Sequence, residues 1–412
     1  MSGGPALLAL EDGAVFRGTA LGAESTAVGE VCFNTGMTGY QEILTDPSYR
    51  GQIVALTAPE VGVTGVNRAD EQSRRPWAAG LAVRRGGGGP FDAPSSWRAE
   101  GSLHAYLEGH GIAGVAEIDT RRLTRHLRAR GALRGALSTE IHDADELVDR
   151  ARAYDYGGRD LVAEVTTAEP YEWGLAELEA RARRGHAASR APLAHGEGRR
   201  RIAVAVLDFG IKANSLDLLA AAGCELTVLP ATTTAPRILD GGFDAVFLSN
   251  GPGNPERVGY AVATTRRLLG RVPVFGICLG HQILALALGA KTYKLPFGHR
   301  GSNHPVRRLG CERIEITCQN HGFVVDAGSL RGTAGRLSHV NLNDHTVEGL
   351  EVEGSALAVQ YHPEAGPGPH DSRYLFREMR RLVDRFEPRT GAAIAGARAR
   401  GARPRLQSVQ SR

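Results

Sequence analysis

Long hydrophobic runs are missing from this 412-residue chain, and no stretch approaches the roughly 20 apolar residues a membrane-spanning helix requires. No basic region precedes the short apolar stretch near Met1, and Asp12-Gly13 closes that stretch as a hairpin turn. Both features argue against a signal peptide and place the chain in the cytoplasm. Cysteine is scarce: Cys32, Cys224, Cys278, Cys311 and Cys318 are an odd number, scattered, with no C-x-x-C pair. That argues against a disulfide framework and a structural zinc, assigns no residue to a metal, and leaves room for a working thiol. An excess of one charge is nearly lacking too. Lys and Arg number 49 against 45 Asp and Glu, for a formal net charge of +4, which makes no case for nucleic acid or an anionic membrane as a partner. A G-x-x-x-x-G-K-[ST] phosphate loop is absent, since Gly289-Ala-Lys291-Thr292 lacks its spacing, and ATP chemistry is therefore not expected in this chain. No internal repeat is found.

What is present suggests two domains, because a chain this long exceeds what one core usually organises. Residues 181–201 are basic, rich in small residues and without apolar period, and read as a linker. Before it, residues 1–180 hold short β-like runs separated by Gly and Pro, with helical patterns near 102–110 and 119–130, an α+β arrangement. After it, residues 202–388 alternate strand and helix, as a mostly parallel α/β sheet does. Six arginines and no acid lie between Arg389 and Arg412, among Gly, Ala, Ser and Pro, and this tail reads as disordered.

The sharpest motif is Val272-Pro-Val-Phe-Gly276-Ile-Cys278-Leu279-Gly280-His-Gln282, a buried-strand pattern running through Gly-x-Cys-x-Gly into an apolar-periodic helix. The glycines permit a sharp bend, and the helix N-terminus favours a thiolate on Cys278. The N–H of Leu279 would face an oxyanion there. A thiol nucleophile needs a base, and Ala358-Val-Gln-Tyr-His362-Pro363-Glu364 offers one beside a carboxylate. Pro363 disfavours helix at His362, so the segment is expected to be extended, with His362 and Glu364 on the same side. A third element, Ser249-Asn-Gly251-Pro-Gly253-Asn-Pro, follows the strand Ala245 to Leu248 and can bring the Gly251 N–H to a substrate. Alone, each motif has a bland reading: a packed cysteine, a surface histidine turn, an ordinary tight turn.

Together and in this order they resemble the class I (triad) glutamine amidotransferases. Gln319-Asn320-His321-Gly322-Phe323, Phe297-Gly-His-Arg-Gly-Ser-Asn303-His304-Pro305 and His362-Pro-Glu-Ala-Gly-Pro-Gly-Pro-His370-Asp371 are similar to carbamoyl phosphate synthetase small subunits in particular. Phe33 through Ser48-Tyr49, Ile118 through Arg125 and Val165-Thr-Thr-Ala-Glu169 match that family's N-terminal half. The resemblance implies a triad of Cys278, His362 and Glu364, with glutamine contacts at Ser48, Gly251, Gly253, Leu279, Gln282, Asn320, Gly322 and Phe323. It also implies a large-subunit partner, in a heterodimer or an assembly of heterodimers, that carries the ATP and Mg2+ sites and receives ammonia to make carbamoyl phosphate for arginine and pyrimidine biosynthesis. No cofactor is implied in this chain. The basic residues Arg121, Arg122, Arg125 and Arg128 offer a surface for that partner or a solvated face. Departures from the family pattern are Gly36, the segment Ala58-Pro-Glu60-Val-Gly-Val63 and the glycine run 86–89. Rival readings are a cysteine peptidase on the same elbow, which would not need residues 319–323, a non-catalytic regulatory subunit, and an amidotransferase subunit feeding another aminated product.

Overall fold

The computed structural model describes residues 3–87, 93–185 and 200–387. Most of the expected linker, Gly88 and Gly89, and the whole basic tail lie outside them. Among the described residues no helix is long and apolar enough to cross a membrane.

Seven strands close into a barrel: β1 (Pro5–Leu10), β2 (Val15–Gly22), β3 (Thr26–Asn34), β4 (Gln52–Leu56), β5 (Gly80–Ala82), β6 (Ala113–Ala116) and β7 (Leu133–Ser138). Their order is β1-β2-β6-β5-β4-β3-β7, with β3 to β6 mutually parallel and the other pairs antiparallel. The run Ala6 to Leu10 reads as continuously apolar because both of its faces are covered. Ala6, Leu8 and Leu10 join one core cluster, while Leu7 and Ala9 pack with Leu147, Val148 and Ala151 of the helix Ala144–Ala153. Closure leaves no unpaired edge among the described strands of this half.

The second half is built on ten strands: β8 (Tyr171–Trp173), β9 (Ile202–Asp208), β10 (Cys224–Pro230), β11 (Ala245–Leu248), β12 (Val274–Ile277), β13 (Thr292–Arg308), β14 (Ile314–Val325), β15 (Arg336–Asn341), β16 (Val347–Val352) and β17 (Ala356–Val359). Five of them, in the order β10-β9-β11-β12-β17, form the parallel centre that the alternating pattern predicts. The rest of the sheet is antiparallel, with β16, β15, β13 and β14 extending one side and β8 the other. The sheet is therefore mixed. Two apolar clusters cover its faces, one containing Leu279, Ile283 and Leu284, the other Leu216, Leu219, Phe376 and Met379.

The crossover between halves comes earlier than residue 180. Trp173 of β8 pairs with Leu226, and Leu178 of the helix Leu175–Arg183 packs on Ala220 and Ala221, so residues 171–183 belong with the second sheet. Three paired residues with no apolar period give no signal of this in the sequence. The two halves are bound by polar contacts: Ala213 N–H donates to Gln72 O at 2.7 Å, Thr35 N–H to Arg300 O at 3.3 Å, and Lys294 pairs with the buried Glu30.

Candidate active site

Cys278 lies between β12 and the helix Leu279–Ala287, with φ 54° and ψ −103°. A non-glycine residue at positive φ costs about 1–3 kcal/mol and is retained where the surroundings enforce it. Here the surroundings are two glycines. A Cβ on Gly276 would come within 2.7 Å of the Gly280 carbonyl carbon, and one on Gly280 within 2.1 Å of Leu248 O, so helix and strand pack closer than any side chain allows. The thiol is buried, and it points toward Asn320 O at 3.6 Å and receives the Gln360 Nε2 amide at 3.7 Å.

His362 reaches the same place because β12 and β17 are adjacent and parallel. Gly276 aligns with Ala358 and Ile277 with Val359, so the residues just past both strands emerge side by side at the carboxyl edge of the sheet. His362 Nδ1 is 2.7 Å from Glu364 Oε1. The sequence expectation of an extended segment needs correction: Ala365 N–H donates to His362 O at 3.1 Å, and a turn rather than strand alternation brings the two side chains together. His362 Nε2, buried, has no hydrogen-bond partner among the described residues.

Behind the pair stands Lys212, which no motif pointed to. It is buried, with Nζ 2.6 Å from Glu364 Oε1 and 3.2 Å from Ala365 O. Burial alone would raise the Glu364 pKa, but Lys212 and His362 outweigh it and bring the carboxyl down to about 2. For His362, burial and Lys212 disfavour the charged ring, while Glu364 and the Cys278 thiol favour it more strongly and hold its pKa well above the ordinary value. A thiolate paired with an imidazolium is the arrangement a cysteine nucleophile uses, and the direction of the His362 shift favours that pairing.

A small cavity opens over the thiol, lined by Cys278, Gly251, Gly253, Gln282, Asn320, Gly322 and Phe323 from the second half. Ser48, Gln52 and Tyr156 line it from the first. Ser48 sits in a single 3-10 turn, Pro47–Tyr49, where its N–H donates to Asp46 Oδ1 at 2.9 Å, and Asn250 Nδ2 holds its hydroxyl at 2.9 Å. Gln282 is fixed by Nε2 bonds to Phe323 O at 2.8 Å and Gln360 Oε1 at 3.0 Å. Leu279 does not line the cavity, but its side chain packs against Gly251, and its N–H opens the helix that starts at the thiol.

Comparison with known proteins draws on both halves. A family model described as carbamoyl-phosphate synthase small chain, CPSase domain, matches residues 8–137, and one described as glutamine amidotransferase class-I matches residues 205–382. The chain is 51% identical over 386 residues to the carbamoyl phosphate synthase small chain of Syntrophotalea carbinolica, covering 92% of this chain and 98% of that one. It is 50% identical over 378 residues to that of Thermosynechococcus vestitus, covering 91% and 95%, and 47% identical over 388 residues to that of Chlorobaculum tepidum, covering 93% and 99%. The chain belongs to the carbamoyl phosphate synthase small-chain family.

Among the described residues, none of the departures from the small-chain pattern lines the cavity. Glu60 pairs with Arg85 at 3.3 Å on the exposed surface, and Gly36 N–H donates to Asn34 Oδ1 at 2.7 Å. Of the basic residues on the helix Thr120–Arg130, Arg122 folds back onto its own domain, donating to Val15 O at 3.0 Å and lying 4.4 Å over the Phe16 ring. Arg121, Arg125 and Arg128 are exposed. Besides Lys212, sequence reasoning missed Asn250, Asp46 and Gln360. Gln360 had a readable signal, since it lies two residues before His362 and thus leaves the strand end beside Cys278.

Proposed function

We propose that this small chain hydrolyses glutamine through a Cys278 thioester and passes ammonia to a large synthetase subunit. That partner would hold ATP and Mg2+ and make carbamoyl phosphate from bicarbonate, in the cytoplasm, for arginine and pyrimidine biosynthesis, as a heterodimer or an assembly of heterodimers. No cofactor is assigned to this chain. The observation that carries the reading is the convergence of Cys278 and, from the other domain, Ser48 on one cavity with Asn320, Gly322 and Phe323, with the His362–Glu364 pair just past the strand that runs beside the one ending at Cys278.

In the cycle, the Cys278 sulfur attacks the side-chain amide carbon of glutamine, and the C=O electron pair moves onto oxygen, toward the N–H groups of Leu279 and Gly251. Collapse of the adduct breaks the C–N bond as the His362 imidazolium gives its proton to the leaving nitrogen, releasing ammonia. Neutral His362 then takes a proton from water as the water oxygen attacks the thioester carbonyl. Glutamate leaves, the sulfur regains its electron pair, and the ring is again protonated. Glu364, held by Lys212, keeps Nδ1 as the donor side of the ring, so that Nε2 is the nitrogen that gains and loses the proton.

The test is glutamate release from glutamine by the purified chain, with and without a cognate large subunit, bicarbonate and ATP, for wild type and Cys278→Ser. A partner-stimulated rate that disappears in the variant supports both chemistry and coupling. A rate indifferent to Cys278 overturns the mechanism, and one indifferent to the partner reduces the chain to a glutaminase.

A further inference from the structure

Beside the cavity, and sharing His321 with its wall, lies a buried polar cluster to which the proposed hydrolysis assigns no step. His299 on β13 and His321 on β14 are directly opposed in register, and Glu348 on β16 faces them. One ligand atom from each lies within 4.8 Å of the others, and all three residues are buried.

The hydrogen bonding of this cluster is one positive charge short. His321 Nδ1 is 3.0 Å from Phe323 O and its Nε2 is 2.9 Å from Gln319 Oε1. A neutral ring has a single N–H, so one of those contacts sets lone pair against lone pair. Turning the Gln319 amide over does not help. Its Nε2 now donates to Glu348 Oε2 at 3.0 Å and would be replaced there by an oxygen. His299 Nδ1 is buried and unpartnered among the described residues, 3.7 Å from Glu348 Oε1, in a residue only 7% exposed.

We propose that His299 Nδ1, His321 Nε2 and the Glu348 carboxylate bind a divalent transition-metal ion of the zinc class. Two imidazoles and one carboxylate suit such an ion, and each proposed ligand already has the outer partner that orients one. His299 Nε2 lies 2.8 Å from Asp344 Oδ2, His321 Nδ1 is directed at a backbone carbonyl, and Glu348 Oε1 accepts from Asn341 Nδ2 at 2.7 Å. The ion would tie the β13–β14 hairpin to β16 immediately beside the wall formed by Asn320, His321 and Gly322. Its role there is to rigidify the substrate wall, and it touches no reacting atom.

The experiment uses the full chain without a histidine tag, dialysed against chelator and titrated with ZnCl2 or CoCl2, with bound metal counted by mass spectrometry and Co2+ followed by its visible d–d absorption. One equivalent is expected in wild type and in Cys278→Ser, and none in His299→Ala or Glu348→Gln. Asp344→Asn, which alters no ligand, should weaken binding about 10-fold or more. Zinc at a hundredfold excess over its Kd should raise the wild-type melting temperature by about 3–7 °C and leave His299→Ala unmoved. Equal binding by the ligand variants overturns the proposal. So does loss of binding in Cys278→Ser, which would place the ion on the catalytic thiol. Absence of any bound metal in the folded wild-type chain also overturns it, and the missing positive charge is then a proton.

Discussion

The ten-stranded sheet and the barrel reach the same cavity by different routes. The sheet brings Cys278 to it at the end of one strand and sets His362 just past the neighbouring parallel strand, where its N–H donates to Cys318 O of β14 at 2.9 Å. The barrel brings Ser48 on a three-residue turn held by Asp46 and by Asn250 of the other half. The groups proposed to react thus rest on the sheet, and the proposed substrate contact rests on an interdomain bond. Damage to the sheet side should therefore appear in the chemistry, and damage to the barrel side in substrate affinity.

Cys278→Ser is the harshest way to sharpen that contrast: glutamate release should fall by about 10³-fold or more with the fold retained, measured by coupled assay alongside circular dichroism. Lys212→Met comes next. It leaves Glu364 buried with only His362 to balance it, and the loss of one member of a buried ion pair should cost about 3–5 kcal/mol in urea unfolding, together with a fall in kcat. A cost near zero would mean that the barrel-facing side of the triad tolerates an unpaired carboxylate.

Acid should separate the halves as well. Burial depresses His281 to about 3 against a weak opposing bond from Gln360, and depresses His339 to about 3 with help from Arg308. Both lie in the second half. The folded state keeps these rings neutral, while the unfolded chain binds protons below the ordinary value of 6.5. Their contribution is therefore fully present above pH 6.5 and is lost as pH falls toward 3, by about 1.4 kcal/mol per pH unit for each ring. Hydrogen exchange at pH 7 and pH 5 should show protection dropping more in β9 to β17 than in β1 to β7. Equal losses would break the comparison. The smallest effect is expected from Ser48→Ala, a rise in KM for glutamine of about 5–10-fold with kcat little changed, read from steady-state kinetics. A fall in kcat with KM unmoved would instead give Ser48 a part in the chemistry.

Much of this was legible in the linear pattern where local geometry carries the information. The Gly-x-Cys-x-Gly elbow, the strand–helix alternation and the proximity of His362 to Glu364 all span a few residues, and a short span leaves little conformational freedom to decide. The four antiparallel strands flanking β17, the crossover of β8 into the second sheet and the closure of the barrel were not legible, since their partners lie far away in sequence. Lys212 was hidden for a related reason. A lone lysine after a strand has no local mark of burial, and only the packing of Glu364 against it turns its charge into a fixture of the site.

The amino-acid order by itself thus pointed to Cys278, His362 and Glu364 as a set and determined the class of fold, because bond geometry, glycine spacing and helix-end electrostatics act over a few residues. Only the tertiary structure decided that Ser48 and Asn250 meet, that Lys212 is buried behind Glu364, and that His299 opposes His321 beside Glu348. Those contacts join residues up to 202 positions apart, and which distant groups share a desolvated space is set by the packing of whole elements.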